Sequence, residues 1–324
     1  MENLEQVKKA ILAEIRQARH ILVIGHAQPD GDAAGACLSI VHYLTDLKKD
    51  FTCVCLGALN PYLKFLPKSE MIGANHEIWK DKDFDLMLVL DSGDLKHAGL
   101  EPYLNDLTQD FKIINIDHHV TNTKFGHYNL VRSSASSTCE LIHELLDGVH
   151  LINKGIATCL LTGIITDTNA FSNLATSASA IETAAKLLLK GANLQQITNY
   201  TLNHRPFQAL KLWGRALERL VEDPKTGVVS TVITQNDLLE CQADEEAREG
   251  IANFLGTLDN NSTKAIMVFS EKPNHKIKVS LRTNNPLLNV AEFAKLMGGG
   301  GHVKAAGFEM DGTIKITPQG WKIA

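Results

Sequence analysis

Four short apolar runs, separated by helical patterns, constrain the fold of this chain more than any other feature. They cover residues 21–24, 51–56, 86–90 and 113–116. Short continuous apolar runs are typical of strands that are buried on both faces of a parallel sheet. The helical stretches between them, such as residues 33–47, supply the crossovers that parallel strands require. The sequence therefore predicts an α/β fold with an N-terminal doubly wound, mostly parallel sheet.

A second, smaller α/β domain is predicted in the C-terminal part of the chain. Apolar runs at residues 228–233, 265–269 and 277–281 indicate strands, and helical patterns lie near residues 245–255 and 290–297. A helical connector is predicted over residues 178–220, and the domain junction is placed near residue 200. A chain of 324 residues accords with two domains at about 150 residues each. We therefore expect one domain over residues 1–200 and another over residues 201–324.

Composition excludes several classes of protein. The 32 lysines and arginines are outnumbered by 37 aspartates and glutamates, so the net charge of −5 argues against a protein that coats long DNA or RNA. No apolar stretch reaches the 18 residues that a membrane-spanning helix needs, and the polar start Met1 to Glu5 is followed by no signal-peptide core. Six scattered cysteines form no CxxC pair, so we expect reduced core thiols in a cytoplasmic protein that contacts no membrane.

Three of the N-terminal strands end in residues that can bind a metal. His26 follows the first strand, Asp91 follows the third, and Asp117 follows the fourth. Because ligands bind at the carboxyl ends of the strands in open parallel sheets, chain folding should bring these side chains to one edge. Residues that can bind a metal are therefore expected at the place in the fold where ligands bind.

The loop after the first strand adds two carboxylates. Asp30 and Asp32 follow His26 in the spacing H-x3-D-x-D, and Gly31 permits the tight turn that directs both carboxylates to one point. A lone Asp in such a loop would more often form a turn or cap a helix. Here five acidic candidates are expected at the same sheet edge: Asp30, Asp32, Asp91, Asp117 and Asp167.

Clustered carboxylates require a cation. Two like charges about 4 Å apart repel by about 1 kcal/mol in water and by more in a partly buried cleft. Oxygen ligands with a few imidazoles and no thiolate favour Mn²⁺ or Mg²⁺, while Fe²⁺, Co²⁺ and Zn²⁺ remain alternatives. Two such ions about 3.5–4 Å apart, bridged by a carboxylate and an activated water, form a hydrolytic centre for phosphoesters.

The segment Asp117-His118-His119 makes a family resemblance specific. The chain resembles the DHH-family phosphoesterases in four ordered motifs: His26 to Asp32, Asp91, Asp117-His118-His119 and Thr166-Asp167-Thr168. The C-terminal segment Gly298 to Gly307 resembles the GGGH motif of the associated DHHA1 domain, and Ser280 to Thr283 resembles that domain's phosphate-gripping strand end. The resemblance covers residues 20–310, and it implies an active site in the cleft between the two domains.

The resemblance also implies roles for single residues. One metal would be bound by His26, Asp30 and Asp91, and the other by Asp32, Asp91, His118 and Asp167, so that Asp91 bridges the two. Asp117 would orient an imidazole, and His119 would face the substrate phosphate as an electrostatic stabiliser or proton donor. On the C-terminal domain, Arg282 would clamp a second phosphate or the nucleotide. His302 would contact the substrate together with the backbone N–H groups of Gly300 and Gly301.

Some assignments stay open at this point. Ser136 and Ser137 could donate to a phosphate or simply cap a helix, and the role of Arg132 is undecided. Many relatives carry Gly after the Thr-Asp-Thr motif, whereas Asn169 follows here, which puts the shape of the local loop in doubt.

The two-domain layout resembles the nanoRNase and pAp-phosphatase group. Such enzymes release mononucleotides from very short oligonucleotides or remove the 3′-phosphate of adenosine 3′,5′-bisphosphate (pAp). The length and charge differ from RecJ-type exonucleases, and no signature of family II pyrophosphatases occurs. A cyclic di-AMP phosphodiesterase remains an alternative. A non-catalytic nucleotide-binding regulator is another, but such a protein would lack one of the metal-binding residues, and none is missing here. We expect short oligonucleotides or nucleotide bisphosphates as partners, and the sequence leaves a homodimer open.

Overall fold

The computed structural model describes residues 4–74, 83–106, 111–202, 206–256, 258, 263–318 and 320–324, so Met1 to Asn3 lie outside the described residues. The chain divides into two compact units, residues 1–204 and 205–324.

A parallel sheet forms the centre of the first unit. Its strands are β1 (His20–Ile24), β2 (Asp50–Val54), β3 (Ile72–Gly73), β4 (Leu86–Leu90), β5 (Lys112–Asp117) and β6 (Tyr128–Val131). They lie in the order β3-β2-β1-β4-β5-β6, and each neighbouring pair is parallel. The predicted α/β class with a mostly parallel N-terminal sheet is confirmed.

The described part of this unit has six α-helices: α1 (Leu4–Gln17), α2 (Gly31–Asp46), α3 (Thr138–Leu146), α4 (Lys154–Asp167), α5 (Ala178–Leu189) and α6 (Leu194–Thr201). Alternate residues of β1 enter different apolar clusters. Ile21 and Val23 pack with residues of these helices. Leu22 and Ile24 pack on the other face, with the crossover between β4 and β5. Both faces of the sheet are therefore covered, as a doubly wound fold requires.

Small residues allow α2 and α4 to pack closely. A Cβ added to Gly35 would lie 2.4 Å from the carbonyl oxygen of Cys159, and one added to Gly31 would lie 2.4 Å from Oγ1 of Thr166. The side chain of Asp30 caps α2 by accepting hydrogen bonds from the backbone N–H groups of Asp32 and Ala33. This contact fixes the start of α2.

The second unit has a mixed sheet. Its strands are β7 (Val221–Asp223), β8 (Val228–Ile233), β9 (Ala265–Lys272), β10 (Lys276–Arg282), β11 (Gly300–His302) and β12 (Ala305–Asp311), and a hairpin follows with β13 (Ile314–Thr317) and β14 (Gly320–Ile323). The sheet order is β11-β12-β10-β9-β8-β7, and only β8 and β9 pair in parallel among the described residues.

Among the residues described here, four α-helices accompany this sheet: α7 (Phe207–Glu218), α8 (Gln235–Cys241), α9 (Ile251–Leu255) and α10 (Val290–Leu296). Helices α7, α8 and α9 contribute to one apolar cluster with Val229 and Val268, whereas α10 belongs to another with Val279 and Leu281. Two apolar layers therefore enclose the sheet.

The structure refines several predicted boundaries. The connector predicted over residues 178–220 consists of three separate helices, α5, α6 and α7. Strand β2 ends at Val54 rather than at residue 56, and β10 extends to Arg282. The short strands β3, β6 and β11 were not predicted, because two to four residues carry too little periodicity to be recognised. No described helix is both long and apolar enough to span a membrane.

The packing of α2 on α4 predicts opposite effects for two glycine substitutions. Gly35→Ala should lower the free energy of unfolding by about 1–3 kcal/mol, because the new methyl group meets a backbone carbonyl that cannot move aside. Gly214→Ala is the control: the glycine is exposed within α7 and its added Cβ meets nothing within 4 Å. That change should stabilise the second unit by up to about 1 kcal/mol. Denaturant unfolding followed by circular dichroism measures both, and equal stability of wild type and Gly35→Ala would contradict the packing argument.

Candidate metal centre

The strand order places the candidate centre at the switch point of the sheet. Strands β1 and β4 lie side by side, and the chain leaves them in opposite directions along the sheet. His26 follows β1, Asp91 follows β4, and Asp117 is the last residue of β5, the next strand along. The carboxyl ends of strands at such a point form the ligand-binding crevice of doubly wound folds. The structure thus brings the three predicted strand-end residues together.

Asp91 lies between two groups of potential ligands. Its Oδ2 is 3.7 Å from Nε2 of His26, and its Oδ1 is 3.5 Å from Nε2 of His118. The hydroxyl of Thr138 donates a hydrogen bond of 3.0 Å to the same Oδ1. The backbone of Asp91 is left-handed, with a φ of 55°. Non-glycine residues adopt this conformation at an energetic cost, and such strain is concentrated at functional sites.

The first group consists of His26, Asp30 and Asp91. One potential ligand atom from each residue lies within 4.8 Å of the others. Nε2 of His26 is 3.6 Å from Oδ1 of Asp30, the oxygen that also caps α2. The cap therefore holds this carboxylate in place beside the imidazole.

The second group consists of Asp32, His118 and Asp167, again with ligand atoms within 4.8 Å of one another. Asp32 is completely buried, and its two oxygens accept hydrogen bonds from the backbone N–H groups of Thr138 (2.6 Å) and Cys139 (2.9 Å) in the first turn of α3. Asp167, the last residue of α4, places its Oδ2 3.2 Å from Nε2 of His118. Two helix ends and one strand end thus position this group.

Asp117, the last residue of β5, is hydrogen-bonded to the ring of His119. Its Oδ1 accepts a hydrogen bond of 2.7 Å from Nδ1 of His119, and its Oδ2 accepts one of 2.6 Å from the amide of Asn122. Both carboxylate oxygens of this buried residue are therefore engaged. Burial would lower the pKa of His119, but the hydrogen bond and charge of Asp117 raise it.

The electrostatics of the cluster call for added positive charge. Burial, followed by the nearby charge of Asp32, raises the pKa of Asp91 and of Asp167 well above the usual range. Burial and the charge of Asp30 raise the pKa of Asp32 to about 6. Within the described ranges, no lysine or arginine lies within 4.0 Å of these carboxylates.

The donor set fits divalent cations. Carboxylate oxygens suit Mn²⁺ and Mg²⁺, imidazole nitrogens suit other first-row divalent ions, and a cation would relieve the repulsion that raises these pKa values. Asp91 belongs to the first group and directs one oxygen to His26 of that group and the other to His118 of the second. The two groups therefore meet at the carboxylate of Asp91, and either group could hold a metal ion.

Several residues near the centre were not identified from the sequence. The ring of His97 stacks on that of His26 with 5.2 Å between centroids, and it meets the ring of His119 edge-on at 5.9 Å. Burial lowers the pKa of His97 to about 4, so this ring is neutral. Asn122 and Thr138 hold Asp117 and Asp91. His97 lies six residues after Asp91 in a strand-end loop, and that position was the only signal in the sequence.

The structure assigns the residues that the sequence left open. Ser137 caps α3, and Ser136 donates its hydroxyl to Glu140. Arg132 pairs with both carboxylate oxygens of Glu144. All three side chains thus have structural partners. Asn169 begins a turn of three left-handed residues, 169–171, with φ values of 48°, 55° and 63°.

The predicted substrate residues Arg282, Gly300, Gly301 and His302 all lie in the second unit. Arg282 ends β10 and pairs with Ala305 of β12, which in turn pairs with His302 of β11. Directly paired residues project to the same face of a sheet, so Arg282 and His302 flank a small alanine on one face. Gly300 and Gly301 form β11 with His302.

The fold and the site together define a two-unit α/β protein with a candidate two-metal centre at the carboxyl edge of its parallel sheet. Comparison with family models matches residues 20–164 to the DHH family, N-terminal domain, and residues 227–317 to the DHHA1 domain. The chain is 31% identical, over 94% of its length and 89% of the relative's, to the bifunctional oligoribonuclease and PAP phosphatase NrnA of Thermus thermophilus. The chain belongs to the DHH family.

Two further relatives are similar to this chain over more than nine-tenths of its length. The probable bifunctional oligoribonuclease and PAP phosphatase NrnA of Streptococcus mutans is 28% identical over 92% of each chain. The cyclic-di-AMP phosphodiesterase PdeA of Listeria monocytogenes is 25% identical over 94% of this chain, which spans 47% of that protein.

Two solved structures show the same fold. An exopolyphosphatase-related protein from Bacteroides fragilis superposes with a TM-score of 0.85 at 24% identity, over 95% of this chain and 92% of its own. RecJ from Thermus thermophilus, solved in complex with Mn²⁺, gives a TM-score of 0.50 at 16% identity, over 96% of this chain and 52% of its own.

The repulsion among the buried carboxylates predicts how adding or removing a metal changes the free energy of unfolding. Mn²⁺ at 100-fold its Kd should raise the free energy of unfolding by about 2.7 kcal/mol. In EDTA, Asp167→Asn should be more stable than wild type by about 1 kcal/mol, because it removes one of the repelling charges. Mn²⁺ should stabilise this variant less than wild type. Asp50→Asn, at the exposed start of β2, is the control and should respond like wild type. Equal stabilisation of wild type and Asp167→Asn by Mn²⁺ would rule out Asp167 as a ligand.

Proposed function

We propose that this protein is a metal-dependent phosphoesterase that acts on short nucleotides. It cleaves very short oligonucleotides (nanoRNA, such as the dinucleotide pApA) to mononucleotides, removes the 3′-phosphate of pAp, or does both. The observation that carries this proposal is the geometry of Asp91, whose carboxylate directs one oxygen to each of two acid–imidazole groups.

The proposal assigns a ligand set to each of two cations. One would be held by His26, Asp30 and Asp91, and the other by Asp32, Asp91, His118 and Asp167. When bound, the cations would supply Lewis-acid activation of a phosphoryl group and of water at neutral pH. Mn²⁺ is the preferred candidate, because the donors are carboxylates and imidazoles and because the RecJ structure of the same fold was solved with Mn²⁺.

The remaining residues of the first unit position groups around the phosphate. We assign His119 to face the substrate phosphate and to stabilise its charge. Asp117 fixes the ring of His119 through Nδ1, and Asn122 holds the other oxygen of Asp117. Since ring and carboxylate are both held by hydrogen bonds, His119 is preorganised and need not reorient during the reaction.

The second unit supplies the substrate-binding residues in this proposal. Arg282 would clamp a second phosphate or the nucleotide, since its planar fork suits phosphate oxygens. His302 and the backbone of Gly300 and Gly301 would contact the same substrate.

The relatives and the composition support short nucleotides as substrates. The names of the Thermus thermophilus and Streptococcus mutans relatives specify oligoribonuclease and PAP phosphatase activity. A net charge of −5 disfavours extended binding of long nucleic acid. The six cysteines are all buried and free, which accords with the proposed cytoplasmic location.

A cyclic di-AMP phosphodiesterase is the second candidate. The similarity to the Listeria monocytogenes enzyme extends over 94% of this chain, and that enzyme is named for hydrolysis of cyclic di-AMP. Such an activity would use the same centre on a cyclic rather than a linear substrate. A substrate comparison separates the two candidates.

The purified protein with Mn²⁺ should release mononucleotide from pApA. The panel comprises pAp, RNA and DNA of two to five nucleotides, cyclic di-AMP and pyrophosphate, each with Mn²⁺ and with Mg²⁺. Asp91→Asn should lower kcat by about 100-fold or more, because it removes the shared ligand charge. Its fold should persist, because Asn tolerates left-handed backbone. Turnover of none of these substrates with either metal would refute the proposed function, and full activity of Asp91→Asn would refute the bridging assignment.

Two neighbouring glycines should respond differently to alanine. A Cβ on Gly300 meets nothing within 4 Å, so Gly300→Ala should leave stability unchanged but raise KM for pApA by about tenfold, because the methyl group keeps the substrate from the backbone. Gly301 has a φ of +135° and its Cβ would lie 2.6 Å from the carbonyl oxygen of Ala305. Gly301→Ala should therefore lower the free energy of unfolding by about 1–3 kcal/mol. Unchanged KM in a stable Gly300→Ala protein would exclude close approach at Gly300.

A further inference from the structure

We propose that Asn253 is a positioning residue that keeps Arg282 both oriented and free to bind a substrate phosphate. The inference rests on the proposed function, and it concerns only residues of the second unit. It identifies a specificity-determining side chain outside the motifs from which the family resemblance was drawn.

Neutral oxygens fix the guanidinium of Arg282. Its Nε donates a hydrogen bond of 2.7 Å to Oδ1 of Asn253, and its Nη1 donates one of 2.8 Å to the backbone carbonyl of Leu281. These two bonds come from different sides of the planar fork, so they determine its orientation. Nη2 makes neither of these bonds and retains its donor capacity for a ligand.

No described carboxylate forms an ion pair with Arg282, whereas other arginines of this unit have one: Arg219 pairs with Asp237, and Arg248 with Glu245. Burial alone lowers the pKa of Arg282, to about 10, so the group is still charged at neutral pH. A partly buried cation whose partners are neutral keeps its full charge available for an anion.

The surroundings of Asn253 and Arg282 are held firmly. Arg282 ends β10, between β9 and β12, and the next residue, Thr283, donates its hydroxyl to the carbonyl of Lys264. Asn253 belongs to α9, which begins after Gly250 in left-handed conformation. The amide of Asn284 donates to the carbonyl of Gly256, just after α9, and ties the end of this helix to the chain beyond β10. The contact between Asn253 and Arg282 is therefore built into two anchored segments.

The chemical identity of residue 253 thus sets the charge that a phosphate meets. An amide and a carboxylate have the same shape, but Asp at this position would pair with Arg282 and compete with the substrate phosphate. Asn253→Asp should therefore weaken a ligand that carries an extra terminal phosphate and spare one that lacks it. Loss of orientation alone, as in Asn253→Ala, should have a smaller effect on the same ligand.

Equilibrium binding in EDTA, which needs no turnover, tests the inference with pApA and ApA as probes. Asn253→Asp should weaken pApA binding on the order of tenfold, and ApA binding less than twofold. In a protein that already carries Arg282→Ala, Asn253→Asp should not weaken pApA binding further, because the guanidinium for which the new carboxylate and the phosphate would compete is absent. Asn274→Asp is the matched control. It adds the same charge in the turn of the β9–β10 hairpin, at the far end of β10, whose six residue steps from Lys276 to Arg282 span about 20 Å at about 3.4 Å per residue, and it should bind like wild type.

The outcomes separate this inference from the proposed function. The inference would be overturned if wild type and Asn253→Asp bound pApA equally well. It would also be overturned if Asn253→Asp weakened pApA and ApA binding equally, or if wild type bound pApA no more tightly than ApA. Loss of the effect in the Arg282→Ala background supports it. Selective weakening of pApA in a protein that hydrolyses no nucleotide would refute the proposed function and leave the inference standing.

Discussion

Repulsion among buried carboxylates is the constraint on which the first unit depends. Asp32 and Asp91 are buried, and Asp167 faces the same imidazole as both, that of His118. Left without a cation, such a group opposes folding, because each charge raises the pKa of the next. The chain tolerates this opposition only because helix ends, a capped loop and a rigid sheet hold the carboxylates where a cation can bind them. Function and instability therefore arise from the same atoms.

The backbone carries much of this arrangement. Two amide groups at the start of α3 hold Asp32, and a left-handed residue at the end of β4 turns the carboxylate of Asp91 between two imidazoles. A Cβ added to Gly163 of α4 would lie 2.4 Å from Oδ1 of Asp32, so the helix passes directly beside that carboxylate. The small residues of α2 and α4 thus serve the site as well as the packing.

Much of this could be predicted from the sequence, for a physical reason. Strand ends in a parallel sheet share one edge, so apolar runs followed by His26, Asp91 and Asp117 were enough to predict where the carboxylates meet. His97 could not be found this way, because its role depends on ring stacking across loops, which leaves no periodic trace. Asn253 was missed for a similar reason: its partner Arg282 is 29 residues away, and neither residue alone signals the contact. Strand β11 was not predicted, because a short run of glycines is typical of a loop.

Asp30 illustrates how closely the chemistry and the architecture are joined. One oxygen of its carboxylate receives the first amides of α2 and lies beside the imidazole of His26. Replacing this acid would remove a candidate metal ligand and would also fray the helix that carries Asp32. A homologue that has lost its activity could therefore keep Asp30 for stability alone. The presence of this residue in a distant homologue is thus poor evidence that the homologue is still active.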